Sequence, residues 1–203
     1  MVTRYSAIAG CIIAGGASRR MGEDKAVLEF GGMPLVVHAI ERLKPQVTSL
    51  IINAHDDSAD FSAYGLPVVT DPAADRQGPL AGILASLRWA EKNDIAWIAT
   101  IAVDTPFFPR DLVSRLAEAA QDKELACASS AGRLHPVFGL WKAELAQELE
   151  QQIENGLRSV RQWVALHDAG IAQWPAEPYD PFFNINSPAD MAVALGIETE
   201  FRP

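Results

Sequence analysis

Apolar runs rich in Ile and Val alternate along this chain with segments of helical period. The first run covers 8–14, and similar runs follow at 50–54, 67–70 and 95–103. Between them, apolar residues recur three or four positions apart, which is the spacing of one helix face. This alternation is typical of repeated β-α units, in which helices connect neighbouring parallel strands. The sequence therefore predicts an α/β fold with a mostly parallel sheet.

The remaining elements follow from the same patterns. Strands are predicted at 125–129 and 135–141 and around 182–185, and helices at 34–44, from 78, at about 109–121, 143–154 and 159–167, and from 188. For the last helix, Ser187 is the predicted cap, with Pro188 in the first helical position and Asp190 completing a capping box. A chain of 203 residues is expected to close around one core, as a single domain.

The charge distribution restricts the class of ligand. The net charge of −9 argues against a general nucleic-acid binder, which would need clustered Lys and Arg. Residues 1–44 nevertheless hold six basic side chains against four acidic ones, while the remainder holds 11 against 22. This pattern favours a small anionic ligand near the N-terminal part. A membrane span is not expected, because no stretch reaches the roughly 20 apolar residues that one requires.

The two cysteines indicate a reducing compartment. Cys11 and Cys127 both lie in apolar runs and lack C-x-x-C spacing. We therefore expect buried, reduced thiols and a cytoplasmic protein. A lipoprotein cleavage site at Cys11 is disfavoured, because the apolar segment before it is shorter than the 7 to 15 residues typical of a signal peptide.

A glycine pair and three cations follow the first predicted strand. Gly15 and Gly16 allow the backbone to approach a phosphate closely and expose consecutive N–H groups. Arg19, Arg20 and Lys25 then provide charge for a triphosphate or pyrophosphate. The spacing matches neither the P-loop nor the G-x-G-x-x-G dinucleotide loop. We interpret the segment as a phosphate-binding loop of another kind, with either arginine available for the phosphate.

Polar residues recur where other predicted strands end, and ligands of open α/β sheets collect at those carboxyl ends. Asp104 ends a strand with no other charge, so it is a candidate Mg²⁺ ligand or, alternatively, a turn or cap aspartate. Asp71 has the same two interpretations. Asn53 either contacts a base or ribose or simply ends its strand. These positions predict a ligand site at one edge of the sheet.

Asn184 and Asn186 flank Ile185 near the end of the chain. Because alternate residues of an extended segment face the same side, both amides are expected to point the same way. Either is a candidate contact for a second substrate, and Asn186 is alternatively a loop residue that prepares the Ser187 cap. His135, which precedes Pro136, is a candidate pocket-lining residue, but the histidine spacings suggest neither a metal site nor a nucleophile dyad.

These motifs resemble those of the molybdenum cofactor guanylyltransferases, over nearly the whole chain. The family's loop L-A-G-G-x-x-x-R-M-G-x-D-K is matched by residues 13–25, with Ile13 as a conservative departure. Its later motifs resemble Asn53-Ala54, Asp71, Gly78 to Gly82 (G-P-L-A-G), Asp104-Thr105-Pro106, His135-Pro136 and Asn184 to Asp190 (N-x-N-S-P-x-D).

The resemblance implies a Rossmann-like three-layer α/β/α sandwich of the nucleotide-diphospho-sugar transferase type. It implies one domain over 1–203, with GTP bound by the N-terminal part and molybdopterin by the C-terminal part. The implied reaction transfers GMP from GTP to the phosphate of molybdopterin, or of its molybdenum-loaded form, and releases pyrophosphate. It also implies Mg²⁺ as cofactor, and we expect transient contacts with cofactor-biosynthesis proteins and acceptor molybdoenzymes.

Residue roles are carried over in the same way. The residues expected to bind GTP are Ile13, Ala14, Gly15, Gly16, Lys25, Asn53, Asp71, Gly78 and Asp104. Asp104 is the expected metal ligand, and Lys25, Asp104 and Arg19 are the expected catalytic residues. Asn184 and Asn186 are expected on the molybdopterin side, although Asn186 is also suited to complete the metal shell.

Three alternatives remain at this point. A molybdenum cofactor cytidylyltransferase would use CTP with the same phosphate chemistry. Another nucleotidyltransferase would act on a different phosphorylated small molecule, such as a hexose 1-phosphate. A nucleotide-binding regulatory protein would keep the loop without transferring anything, although pure binding gives no reason for a metal carboxylate at Asp104.

Overall fold

The structure is a computed structural model that describes residues 7–15, 25–54, 61–70 and 78–201. Its central sheet has seven strands in the order β5-β4-β1-β6-β8-β7-β9. These strands are β1 (Ile8–Ile13), β4 (Ser49–Ala54), β5 (Val68–Thr70), β6 (Trp97–Ala102), β7 (Leu125–Ser130), β8 (Arg133–Lys142) and β9 (Gly170–Trp174). A separate hairpin is formed by β2 (Glu29–Phe30) and β3 (Met33–Pro34).

Helices occupy the connections between these strands. They are α1 (Leu35–Leu43), α2 (Pro79–Lys92), α3 (Leu112–Ala119), α4 (Ala146–Glu154), α5 (Val160–Val164) and α6 (Pro188–Phe201). Short 3₁₀ turns lie at Lys25–Val27, Lys44–Gln46, Ser62–Tyr64 and Ala143–Leu145. Within the described ranges, no helix has the length and apolar character needed to cross a bilayer.

Strand direction brings several carboxyl ends to one edge of the sheet. β5, β4, β1 and β6 are mutually parallel, and β8 is antiparallel to both β6 and β7. Ile13, the last residue of β1, pairs with Asn53 on one side and with Ala102 on the other. The chain runs from β1 outward to β4 and β5, and then returns to β6 on the other side of β1. This reversal is the kind of switch point at which α/β sheets bind ligands.

Two apolar clusters cover the two faces of the sheet. In β1, Ile8 and Ile12 belong to one cluster, whereas Cys11 and Ile13 belong to the other. α1 and α3 bury their apolar faces in the first cluster, and α2, α4 and α5 in the second. The structure therefore confirms the predicted three-layer sandwich with a mostly parallel sheet.

The cysteines belong to this core, as predicted. Cys11 and Cys127 are both buried as reduced cysteines. Burial raises the pKa of the Cys127 thiol to about 12, because the charged thiolate would lose its hydration there. The Cys127 thiol is therefore an unreactive core group at neutral pH.

The strand predicted around 182–185 is wrong. This segment forms no strand, and its apolar residues instead fill the core, with Phe182 2% exposed and Ile185 completely buried. The ninth strand lies earlier in the chain, at Gly170–Trp174, where buried and exposed residues alternate along the sheet edge. Sequence patterning missed it because its inward positions include Gly170 and Ala172, whose small side chains give little apolar signal.

Candidate active site

The start of the glycine loop is fixed by neighbouring strand ends. Ala14 N and Gly15 N both donate to the Asn53 carbonyl oxygen, at 2.8 and 3.2 Å, and the Ile13 carbonyl accepts from Val103 N at 3.2 Å. The loop therefore leaves the sheet between β4 and β6. Gly16, Arg19 and Arg20, which were predicted to continue the phosphate site, lie outside the described residues, as does Asp71.

Lys25 returns to the sheet edge and contacts two of the predicted site residues. Its Nζ lies 3.1 Å from Asp104 Oδ2 and donates to Asn186 Oδ1 at 2.5 Å. The Lys25 and Asp104 side chains are only 12% and 16% exposed, so solvent screens this ion pair less than a surface pair. One ammonium group thus connects the carboxyl end of β6 with the segment before α6.

A second set of contacts joins the Asp104-Thr105 turn to the late Asn184-Ile185-Asn186 segment. Ile185 N donates to the Asp104 carbonyl at 2.8 Å, and Asn184 Nδ2 donates to Asp104 Oδ1 at 3.4 Å. The Thr105 hydroxyl lies 3.2 Å from Asn184 Oδ1. Both carboxylate oxygens of Asp104 are therefore in contact with a predicted site residue.

The predicted capping box at α6 is confirmed and holds Asn186. Asp190 Oδ2 accepts from Asn186 N and from the Ser187 hydroxyl, both at 2.9 Å, and Asp190 N donates back to Ser187 Oγ at 3.2 Å. The Ser187 hydrogen bond, followed by the Asn186 backbone N–H, lowers the pKa of Asp190. The Asp190 carboxylate is thus ionised at neutral pH, and its hydrogen bond to Asn186 N holds the backbone of Asn186 in place.

The Asn53 side chain is buried between β5 and α2 rather than exposed at the surface. It is completely buried, and its Nδ2 donates to the Val69 carbonyl at 3.2 Å. A Cβ built at Gly82 of α2 would collide with Asn53 Oδ1, so α2 packs closely on this amide only because residue 82 is glycine. Gly78, just before α2, has φ +60°, a conformation that glycine adopts readily.

The donor atoms near Asp104 suit a hard cation. Within the described ranges, no group of three or more His, Cys, Asp or Glu side chains forms a closed metal site. Asp104 and the amide oxygen of Asn186 are oxygen ligands that already share the Lys25 ammonium. Mg²⁺ commonly binds through one or two carboxylates and takes its other ligands from water and phosphate. The residues present therefore fit a nucleotide-bound Mg²⁺.

A cleft of about 400 Å³ adjoins this cluster. Asn184 and Asn186, which belong to the contact network around Asp104, also line this cleft. Its other lining residues include Arg133, His135, Asp180 and Phe183. The prediction that His135 lines a pocket is thus confirmed. Sequence reasoning missed Ser130, whose hydroxyl contacts His135 Nε2, and Asp180, which accepts from that hydroxyl. They lie 5 and 45 positions from His135, and no sequence motif connects the three residues.

The chemistry at this edge defines the class of protein. An ammonium group beside a carboxylate, at the switch point of a three-layer α/β sheet, is suited to a nucleotide with its phosphates and metal. The chain is thus of the nucleotide-binding α/β class. Comparison with protein families is more specific: the model of the MobA-like NTP transferase domain matches residues 10–170, and the chain belongs to this family.

Individual relatives agree with this assignment. A protein of Rhodopseudomonas palustris (strain BisB5), named molybdenum cofactor guanylyltransferase, is 42% identical over 94% of this chain and 93% of its own. The structure of molybdopterin-guanine dinucleotide biosynthesis protein A from Archaeoglobus fulgidus has a TM-score of 0.74 at 21% identity, covering 95% of this chain and 100% of that one. A manganese complex of Rv0371C from Mycobacterium tuberculosis H37Rv has a TM-score of 0.64 at 16% identity, over 94% and 99%. These two structures bear on the fold alone.

Proposed function

We propose that this protein transfers GMP from GTP to the terminal phosphate of molybdopterin, with or without bound molybdenum, and releases pyrophosphate. The observation that carries the proposal is the contact of Lys25 with both Asp104 and Asn186, the second of which also lines the cleft. Membership of the MobA-like family and the names of close relatives support the substrates.

The GTP side of the proposed site is the edge formed by β1, β4 and β6. We assign phosphate contacts to the backbone at Gly15 and Gly16 and to the side chains of Lys25 and Arg19. Asn53 contributes through its carbonyl oxygen, which holds the start of the loop. Ile13, Ala14, Asp71 and Gly78 complete the assignment as residues that flank the nucleotide.

In the proposed reaction, an oxygen of the acceptor phosphate attacks the α-phosphorus of GTP. The new P–O bond forms as the bond to the bridging oxygen of the β-phosphate breaks, and pyrophosphate leaves with that electron pair. Both reactants are anions, so Lys25 lowers their repulsion and stabilises the leaving group. No general base is required, because a phosphate monoester is already ionised at neutral pH.

We assign Mg²⁺ to Asp104, where it would neutralise charge on the triphosphate. The support is the oxygen donor set described above, to which Asn186 can add its amide oxygen. Lys25 Nζ contacts both Asp104 Oδ2 and Asn186 Oδ1. We expect its ammonium to turn toward the phosphates when the complex forms, because a triphosphate offers it a higher negative charge than a single carboxylate.

The acceptor side is assigned to the cleft that Asn184 and Asn186 line. On this proposal, one domain over 1–203 divides into an N-terminal nucleotide part and a C-terminal molybdopterin part. We further propose a cytoplasmic reaction, which the buried, reduced cysteines Cys11 and Cys127 support. Direct transfer to cofactor-biosynthesis proteins and molybdoenzymes would protect an oxygen-labile product.

The decisive experiment measures pyrophosphate release by the purified protein with Mg²⁺, molybdopterin, and either GTP or CTP. We expect release with GTP that depends on molybdopterin, together with formation of the guanine dinucleotide. A preference for CTP would instead identify a cytidylyltransferase. Turnover of hexose 1-phosphates would indicate a sugar nucleotidyltransferase, and nucleotide binding without turnover would indicate a regulatory protein.

A further inference from the structure

The cleft beside the proposed reaction centre contains a buried polar chain that the transfer chemistry does not use. Ser130 Oγ lies 2.7 Å from His135 Nε2 and 2.7 Å from Asp180 Oδ1. The same Asp180 oxygen accepts from Phe182 N at 2.9 Å. Ser130 is completely buried, whereas His135 and Asp180 line the cleft. A buried hydroxyl thus connects a carboxylate to a histidine that faces a ligand-sized space.

The hydrogen-bonding capacity of these groups determines the histidine tautomer. The Asp180 carboxylate can only accept, so the single Ser130 proton is donated to it. Ser130 Oγ must then accept from His135, which places a proton on Nε2. In a neutral imidazole, Nδ1 is consequently an acceptor. Within the described part of the chain, no hydrogen bond engages that Nδ1 atom.

The plane of the His135 ring is fixed as well. The ring stacks on Phe182 with centroids 4.6 Å apart and planes 20° apart. Phe182 is itself held edge-on by Phe138 at 5.0 Å and by Trp174 at 5.5 Å. One imidazole face and one nitrogen are therefore committed to the protein. Such a preorganised group provides a directed acceptor at little entropic cost.

The position of His135 relative to the reaction centre indicates which part of a ligand it meets. Asn184 and Asn186 belong both to the cleft and to the network around Asp104 and Lys25. An acceptor whose phosphate lies at the Lys25 end would extend its organic body along the cleft toward His135. Phe183 and Arg133 line the same cleft and are suited to a flat, polar ring system.

We propose that His135 Nδ1, oriented by Ser130 and Asp180, accepts a hydrogen bond from an N–H group of the acceptor's heterocyclic ring and so determines acceptor specificity. This inference rests on the proposed function, since it requires that the cleft bind the acceptor. Ser130 and Asp180 act through His135 and are positioning residues.

The environment of His135 keeps its Nδ1 atom available as a hydrogen-bond acceptor. Burial lowers the pKa of His135, Arg133 and Arg161 lower it further, and only Asp180 acts in the opposite direction. His135 is therefore neutral at pH 7. Protonation would convert Nδ1 into a second donor, which would oppose a donor on the ligand. The affinity for the acceptor is thus expected to fall as the pH decreases through the His135 pKa.

The test begins with His135→Phe, which retains the ring on Phe182 but removes both nitrogens. We expect the KM for molybdopterin to rise about tenfold, the loss typical of one hydrogen bond to a buried polar group. The KM for GTP and kcat should stay within about twofold on the same reasoning. His167→Phe, at a histidine that packs against Trp163 on another part of the molecule, is the matched control.

Two further variants separate recognition from packing. His135→Asn places an amide oxygen near the former Nδ1 position and should restore much of the acceptor affinity. It should also remove the part of the low-pH rise in acceptor KM that comes from His135. The part that comes from titration of the acceptor phosphate remains in both proteins. Asp180→Asn keeps an oxygen that accepts from Phe182 N but removes the charge that raises the His135 pKa. In this variant, the acceptor KM should therefore begin to rise only at a lower pH than in wild type.

The outcomes distinguish this inference from the proposed function. If wild-type protein transfers no GMP to molybdopterin, the proposed function fails and the inference fails with it. If wild-type protein is active but His135→Phe has an unchanged acceptor KM, only the inference is overturned. Equal losses for GTP and molybdopterin, accompanied by a lower melting temperature, would show a structural role for His135 and would also overturn it.

Discussion

Lys25 Nζ lies 3.1 Å from Asp104 Oδ2, although 79 positions separate the two residues in the chain. One residue follows the glycine loop, and the other follows the strand on the far side of the switch point. Their contact places a cation and a possible metal ligand at the same point of the sheet edge. In our proposed reaction, Lys25 neutralises charge on the triphosphate, and Asp104 would hold the Mg²⁺ that neutralises more of it.

Replacing Lys25 by methionine keeps most of the aliphatic side chain and removes the charge. We expect kcat for pyrophosphate release to fall by about 10²- to 10³-fold, the range typical when a preorganised electrostatic group is removed. Lys92→Met, at an exposed lysine near the end of α2, should remain fully active. Similar activity in both variants would remove Lys25 from the proposed mechanism.

Replacing Asp104 by asparagine keeps the shape of the side chain and removes its charge. We expect a higher Mg²⁺ concentration for half-maximal activity and a large loss of kcat, with a smaller effect on nucleotide affinity. A Mg²⁺ titration of turnover and a direct titration of nucleotide binding measure the two effects. Glu118→Gln, at an exposed acid on α3, is the control. An unchanged Mg²⁺ dependence would refute the metal role of Asp104.

The sequence predicted that Lys25 and Asp104 belong to the same site, but it did not predict their contact. Lys25 was found from the glycine loop, and Asp104 from the end of a strand pattern. The run at 95–103 ends at Asp104, and parallel strands align their carboxyl ends regardless of distance along the chain. Asn184 and Asn186 reach the same place for a different reason. The predicted strand at 182–185 is absent, and the segment is held instead by the hydrogen bond from Ile185 N to the Asp104 carbonyl.

The chain Ser130-His135-Asp180 was beyond sequence reasoning. Ser130 ends β7 and His135 lies in β8, so a tight turn brings them together. Asp180, however, arrives through a loop that follows the unpredicted strand β9. Because β9 was not predicted, the sequence did not show where this loop runs. It therefore did not show that Asp180 lines the cleft. Irregular segments with core-filling aromatics such as Phe182 carry no periodicity from which to place a neighbour.

The α6 cap links stability to pH. Because the pKa of Asp190 is lowered in the folded protein, its interactions stabilise the fold above the unfolded pKa, and this contribution disappears as pH falls through the lower, folded pKa. Asp190→Asn should therefore reduce the free energy of unfolding at pH 7, and the difference from wild type should shrink toward pH 3. Urea unfolding at both pH values measures it. A difference that is constant with pH would contradict the assigned charge effect.

Ser187→Ala tests the same cap without changing charge. Loss of an N-cap hydroxyl typically costs about 1 kcal/mol, so we expect a decrease of this size in the free energy of unfolding. Because the cap also holds the backbone of Asn186, this variant should lower kcat at temperatures where the protein remains folded. A loss of stability with full activity would show that Asn186 is positioned by other contacts.

Two helical glycines provide a matched pair of variants that tests the packing of α2 on Asn53. At Gly82, a Cβ would meet Asn53 Oδ1 and would lie 3.2 Å from Ile13 Cδ1, whereas a Cβ at Gly196 of α6 meets nothing within 4 Å. Alanine is intrinsically favoured over glycine in a helix by about 1 kcal/mol, so Gly196→Ala should stabilise the protein by up to that amount. Gly82→Ala should destabilise it despite the same propensity gain, because the new Cβ would overlap Asn53 Oδ1 and Asn53 is completely buried, so its amide cannot turn into solvent to relieve the overlap. It should also impair GTP use, since displacement of Asn53 shifts the carbonyl that holds Ala14 and Gly15. Thermal unfolding and the KM for GTP of both variants check this, and equal stabilisation by the two substitutions would rule out tight packing of α2 on Asn53.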